Sequence, residues 1–336
     1  MAEEEEARED PSRRLEFVRF VVDDRPYACW EWDLRARNLE FLRGIDASYY
    51  TYVAEANSEH LEDEEHGHQA ALAIRVAYSQ ALETLFALLG AMVQAPECVI
   101  GWLLAYRNVE LESLIRKLTR RQTVLHRLNI EPTWENLSAV VHRYFAYDDE
   151  KKDWIAKGYA RAWSRFAGEF LNAKTSDEYN SIKHGMRARP GGFGLSVGIE
   201  KVYGQAVPPE EMKPIGGSKY GTSFYTREKL DKGMNFRARR IARNWIPDNM
   251  AEGLYLLAWS IGNVVGCLRI LNGEEPGKCQ FHNPNSPESF DLPWKLSPGV
   301  TDCSFDTNLP AEGVEPRSKR EILDSYKREP KSETDS

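Results

Sequence analysis

The stretch Gln69–Val93, QAALAIRVAYSQALETLFALLGAMV, decides the fold class. Leu82, Leu85, Phe86 and Leu89 recur at three- and four-residue steps, which lines up one apolar face of a helix. Pro96 ends that helix. Cys98–Tyr106 resumes it, and Leu111, Ile115, Leu118, Val124 and Leu128 continue a helical pattern as far as Asn129 and Pro132. Thr133 is placed to cap a further helix carrying Leu137, Val140, Val141, Tyr144 and Phe145, with Asn136 at the capping-box position. Asp148-Asp149 opens another through Trp154, Ile155, Tyr159, Trp163, Phe166 and Phe170, because carboxylates suit the positive end of the helix dipole. Thr175-Ser176-Asp177 is expected to cap a short helix ending at Gly185.

Beyond Gly185 the texture changes. Arg189-Pro190-Gly191-Gly192 reads as a turn and Phe193–Val202 as a short strand. Ser223–Thr226 and Met234–Trp245 look extended, so a small antiparallel sheet is expected. After Pro247-Asp248 a strong helix returns with Leu254, Leu257, Ala258, Ile261, Val265, Leu268 and Leu271, and Gly273 stops it. The fold class is therefore mainly α, a helical bundle with a small antiparallel β insertion before its last long helix. Residues 1–14 read as a disordered acidic tail, 15–283 as the helical domain with its β-rich insertion at about 186–246, and 284–336 as a mostly irregular or disordered tail. Within 15–57 the pattern is ambiguous, with 33–56 helical on one reading.

Composition sets the outer bounds. The chain has 336 residues, 42% of them hydrophobic, enough for a sizeable core. Its net charge of −8 is concentrated near the start, in Glu3–Glu6, Glu9 and Asp10. The rest is close to balance, so overall charge names no polyanionic partner. Five scattered cysteines, Cys29, Cys98, Cys267, Cys279 and Cys303, form no framework and suit a reducing, cytoplasmic compartment. The start lacks the positive charge and apolar run of a signal peptide. The longest apolar run, Leu85–Val93, is shorter than the about 20 residues a bilayer span needs, so no membrane partner is expected.

The chemistry-bearing candidates are few. In Asp177–Gly185, Asn180 and His184 are four residues apart on a helix and share a face that Lys183 borders. An imidazole can act as base or acid near neutral pH, an amide can orient it, and a lysine can neutralise phosphate charge. Arg187 and Arg189 follow closely. The same residues also suit a plain helix stop, with cations in the last turn and Gly185 as the left-handed cap. A second basic element, Arg237-Ala-Arg239-Arg240-Ile-Ala-Arg243, would on a strand put Arg237, Arg239 and Arg243 on one face, with Phe236 and Trp245 as stacking surfaces beside it. Arg116–Arg121 is a further basic run at helical spacing. The His60–His68 segment and the Cys267, Cys279, His282, Cys303 set contain ligand-type residues, but neither has a recognised metal spacing, and no metal is assigned. There is no Walker-type phosphate loop, no Gly-x-Ser-x-Gly elbow and no His-Glu-x-x-His, so no cofactor is read.

The Asn180–His184 element resembles the signature of the HEPN superfamily (higher eukaryote and prokaryote nucleotide-binding), in which an Arg, usually followed by Asn, precedes a short polar spacer and a His. Asn180 and His184 match it, and Tyr179 stands at the Arg position. It is also similar to uncharacterised bacterial helical proteins with a Tyr-Asn-x-x-Lys-His-Gly element. The resemblance implies a helical bundle that pairs as a homodimer, binds RNA or nucleotide, and works in defence or stress. His184, Asn180 and Lys183 would then be the catalytic group of a ribonuclease, degenerate without its arginine. Arg187, Arg189, Arg237, Arg239 and Arg243 would contact nucleic acid. The competing expectation is a non-enzymatic helical scaffold or protein-interaction module.

Overall fold

A computed structural model describes residues 15–184, 187–231, 234–304 and 314–326. The chain is mainly α with some β: ten helices and eight short strands among the described residues, every strand pair antiparallel. It divides into two compact units, one of residues 1–179 and 246–296, the other of 180–245 and 297–336. The expected acidic tail, 1–14, lies outside the described residues.

The helical unit opens with an element the sequence left ambiguous. Strands β1 (Leu15–Val22) and β2 (Arg25–Trp32) form a hairpin closed by Asp23-Asp24, with Asp23 at φ +54°. Phe20 and Val22, two apart on one face, are buried. Gln94 fastens the turn: its Oε1 accepts from Asp23 N, and its Nε2 donates to the Asp23 and Leu125 carbonyls, at 2.8, 2.8 and 2.9 Å. Two helices follow, α1 (Leu34–Arg43) and α2 (Ser48–Ser58), in place of a single helix over 33–56.

Helices α3 (Gly67–Gln94), α4 (Val99–Ala105) and α5 (Asn108–Thr119) come next. Val124 and Leu128 lie beyond the last of these, so the helical spacing there was coincidental. Helices α6 (Trp134–His142) and α7 (Asp149–Phe170) start as expected. The Thr133 hydroxyl accepts from Asn136 N at 3.2 Å and the Asp148 carboxylate from Lys151 N at 2.8 Å. Helix α8 (Ala173–Lys183) begins earlier than the Thr175–Asp177 cap predicts, because Asn172 Oδ1 accepts from Lys174 N at 3.0 Å.

The core centres on α3 and the late helix α9 (Pro247–Leu271). Leu85–Gln94 is buried all round, as a central helix requires. The two helices approach closely at Gly253, where a Cβ would stand 2.5 Å from the Tyr78 ring. Gly273, at φ +93°, ends the α9 region in a conformation that L side chains rarely adopt. By length and composition α3 and α9 are long and apolar enough to cross a membrane, a test that buried core helices also pass. Their most apolar windows are 78% and 67% buried within the fold. The chain after α9 is not wholly irregular. Tyr159 OH and Asn263 Nδ2 donate to the His282 carbonyl at 2.6 and 2.7 Å, and Phe290 is buried against Gly158.

The second unit holds a sheet of order β3-β6-β7-β8, made of Ala188–Pro190, Gly221–Lys229, Phe236–Asn244 and Asp302–Ser304. A separate hairpin pairs β4 (Gly194–Val197) with β5 (Lys213–Gly217). Asn244 ties these parts together, accepting from Phe193 N and donating to the Phe193 and Val300 carbonyls at 2.8, 2.9 and 2.9 Å. A last helix, α10 (Lys319–Asp324), is capped by Ser318.

Candidate nucleic-acid interface

Helix α8 sorts its residues by the 3.6 period. Thr175, Glu178, Ser181 and Ile182 are buried; Asn180, Lys183 and His184 are exposed. Glu178 receives two bonds from Arg75 of α3. Tyr179, at the position of the HEPN arginine, is half-buried beside α3. Burial and the nearby Glu83 carboxylate raise its phenol above the ordinary tyrosine range, and Gln80 hydrogen-bonds it. It is a neutral packing residue, not a cation. His184 N donates to the Asn180 carbonyl at 3.0 Å, so the exposed pair does share one helical turn. Arg187 N donates to the Ser181 carbonyl at 2.8 Å. Gly185, the expected left-handed cap, lies outside the described residues.

The register of the four-stranded sheet divides the arginines between two faces. Residues directly paired across antiparallel strands point to the same side, and the side alternates along each strand. Arg237, Arg239, Ile241 and Arg243 share one face with Phe224, Thr226 and Glu228. That face is largely closed. Glu228 pairs with Arg237 and lies 3.6 Å from Arg239, whose Nε also donates to Ser304 Oγ at 2.9 Å. Arg243, Ile241 and Phe224 are buried.

The opposite face is the open one. Arg189 pairs with Ser223, Ser223 with Ala242, Tyr225 with Arg240, Arg227 with Ala238 and Lys229 with Phe236. Arg189, Tyr225, Arg227, Lys229 and Phe236 are exposed and Arg240 is half-buried. Tyr225 is 62% and Phe236 48% accessible, unusual for aromatic rings on a sheet. The Arg227 guanidinium sits 4.5 Å from the Phe236 ring centre. Among the described residues of these strands, this face carries no acid.

The structure thus separates residues that the sequence grouped. Arg189 is on the open face, while Arg237, Arg239 and Arg243 are on the other; Phe236 is open to solvent and Trp245 is buried. Tyr225, Arg227, Lys229 and Arg240 were not read as a set. Tyr225-Thr-Arg227-Glu-Lys229 alternates in sequence, but the strand runs to Lys229, beyond the expected Thr226, and only pairing reveals which alternating set faces out.

The remaining candidates scatter. Lys117 of the α5 basic run bonds Asp23 and Asp24 at 2.7 and 2.5 Å, and Arg121 bonds Glu135 at 3.0 Å. His60 pairs with Asp63 at 2.9 Å. Cys267 is buried in α9, whereas Cys303 belongs to the second unit. Among the described residues, no three His, Cys, Asp or Glu side chains group to hold a metal ion. Comparison with protein-family profiles, with curated proteins and with solved structures finds no match to this chain.

Proposed function

We propose that the open face of the four-stranded sheet binds single-stranded RNA. One observation carries this reading: two exposed aromatic rings, Tyr225 and Phe236, stand among Arg189, Arg227, Lys229 and Arg240 on a face to which the described residues of these strands contribute no acid. Aromatic planes accept any base by stacking, and the cations follow the phosphates. On this reading the helical unit is a bundle of HEPN type in a cytoplasmic homodimer serving defence or stress. Asn180, Lys183 and His184 present an exposed helix end to the same RNA. If the chain cleaves RNA, His184 takes the proton from a ribose 2′-hydroxyl as that oxygen bonds to the adjacent phosphorus, the P–O5′ bond breaks to leave a 2′,3′-cyclic phosphate, and the departing 5′-oxygen takes a proton from water. Arg187 or Arg189 supplies the positive charge that Tyr179 cannot.

The test is anisotropy with a labelled, unstructured RNA, alongside DNA of the same sequence. Stacking losses of about 1–3 kcal/mol per base are expected for Tyr225→Ala and Phe236→Ala, a weakening of about fivefold to more than a hundredfold. Failure of the unmodified chain to bind RNA at low salt overturns the reading. Preferred binding of DNA would change the ligand. His184→Ala tests cleavage separately, since it leaves the sheet face intact.

The second reading, a protein-interaction module, is favoured by a different observation. Leu195, Val197, Ile199, Val202, Tyr203 and Ile215 are all exposed on and beside the β4–β5 hairpin. Substituting these with Ser should leave RNA affinity unchanged if the sheet is the RNA site.

A further inference from the structure

A cleft of about 550 Å³ lies in the helical unit between the end of α5, the start of α6 and the middle of α7. That volume suits a small organic molecule rather than a bare ion. Lys157, Arg161 and Arg165, four residues apart on α7, form a basic ridge along it, and Arg121 stands on the α5 side. Their acid partners are exposed and fewer. Asp153 serves Lys157 at 2.7 Å, Glu135 serves Arg121 at 3.0 Å, and Asp291 is shared by Arg165 and Arg161 at 2.7 and 4.0 Å. Exposed pairs of this kind exchange readily for a ligand, because each is worth little in water.

Three further features converge on the same place. Helix α6 has nine residues, and its first N–H groups, on Trp134 and Glu135, have no carbonyl within the helix to bond. Trp134 lines the cleft, is 6% exposed, and its buried indole N–H has no hydrogen-bond partner among the described residues. Buried indole N–H groups nearly always find one. Arg121 adopts φ +53° at the end of α5, where Gln122 N donates to the Lys117 carbonyl at 2.9 Å. Glycine is the usual occupant of that helix-end position, so an arginine there holds its side chain at the cleft against a backbone penalty.

We propose that this cleft binds a phosphate monoester of a small molecule. A tetrahedral dianion uses donors arriving from several directions, which Arg121, the α6 N-terminus and the α7 cations supply together. Ser164 is the lining serine, while the Thr119 hydroxyl donates to the Ile115 carbonyl and the Thr133 hydroxyl caps α6. The Leu118 and Ala160 side chains give the organic part an apolar wall. This site is independent of the sheet face and stands or falls without it.

The experiment uses the full chain labelled with ¹⁵N-tryptophan, following the Trp134 indole resonance, assigned through its loss in Trp134→Phe. Phenyl phosphate and inorganic phosphate are titrated against sodium chloride of matched ionic strength. The indole proton should shift saturably with phenyl phosphate, and less tightly with inorganic phosphate. Arg161→Gln with Arg165→Gln should weaken binding about tenfold or more, while the exposed positions leave the fold intact. No shift at millimolar phosphate monoester, or an equal shift in the double variant, overturns the proposal. So does a shift produced by an RNA oligonucleotide and not by phenyl phosphate.

Discussion

Arg75 and Glu178 form an ion pair inside the helical unit, with Nε and Nη2 of the guanidinium on one carboxylate oxygen at 3.1 and 2.6 Å. Their side chains are 7% and 0% exposed. The pair joins Glu178 of α8 to Arg75 of the central helix α3. Burial works against the charged arginine and Glu178 restores it, the balance leaving the guanidinium above its ordinary pKa. Removing one partner strands a buried charge. Glu178→Gln should therefore cost about 3–5 kcal/mol in urea unfolding, while Arg75→Met with Glu178→Leu should recover most of it. An unchanged midpoint in Glu178→Gln would sink this account.

His142 gives the helical unit a pH dependence. Its ring is stacked on Tyr159 with centroids 4.2 Å apart. Nδ1 lies 2.8 Å from the Ser138 carbonyl, and Asn263 Nδ2 lies 3.2 Å from Nε2, so the neutral ring donates at one end and accepts at the other. Burial lowers its pKa to about 3. The unfolded chain then binds the extra proton below an ordinary value of about 6.5 while the folded one does not. Stability from this group is complete above that value and falls by about 1.4 kcal/mol per unit as the pH drops toward the folded pKa. Urea unfolding at several pH values should show the gap between the unmodified chain and His142→Gln narrowing in acid. A gap independent of pH would contradict the burial argument.

The two faces of the sheet make a paired prediction. Arg227→Ala, on the open face, should lower the salt slope of RNA binding by about one. Arg239→Ala, whose guanidinium is held by Glu228 and Ser304, should leave that slope unchanged. Slopes measured by anisotropy across a salt series decide it, and a larger loss for Arg239→Ala would reverse the assignment of faces.

The helices were legible because their signals are local. Periodic leucines mark α9, and Thr133 and Asp148 cap α6 and α7 through atoms only three residues away. The β1–β2 hairpin was not legible. Its turn is held by Gln94 and Lys117, and bonds between residues 71 and 94 positions apart leave no pattern in a short window.

For the candidate site the same division holds. Sequence by itself determined that Asn180 and His184 share a helical face and that alternate arginines of β7 share a strand face, because both follow from backbone periods. Which strand face meets solvent depends on what packs against the other side. Tertiary structure alone decided that Glu228 closes the face of Arg237 and Arg239, that Tyr225 and Phe236 open the opposite one, and that Tyr179 turns its ring beside Glu83. Burial and charge pairing are properties of neighbours brought together by folding, and no spacing along the chain encodes them.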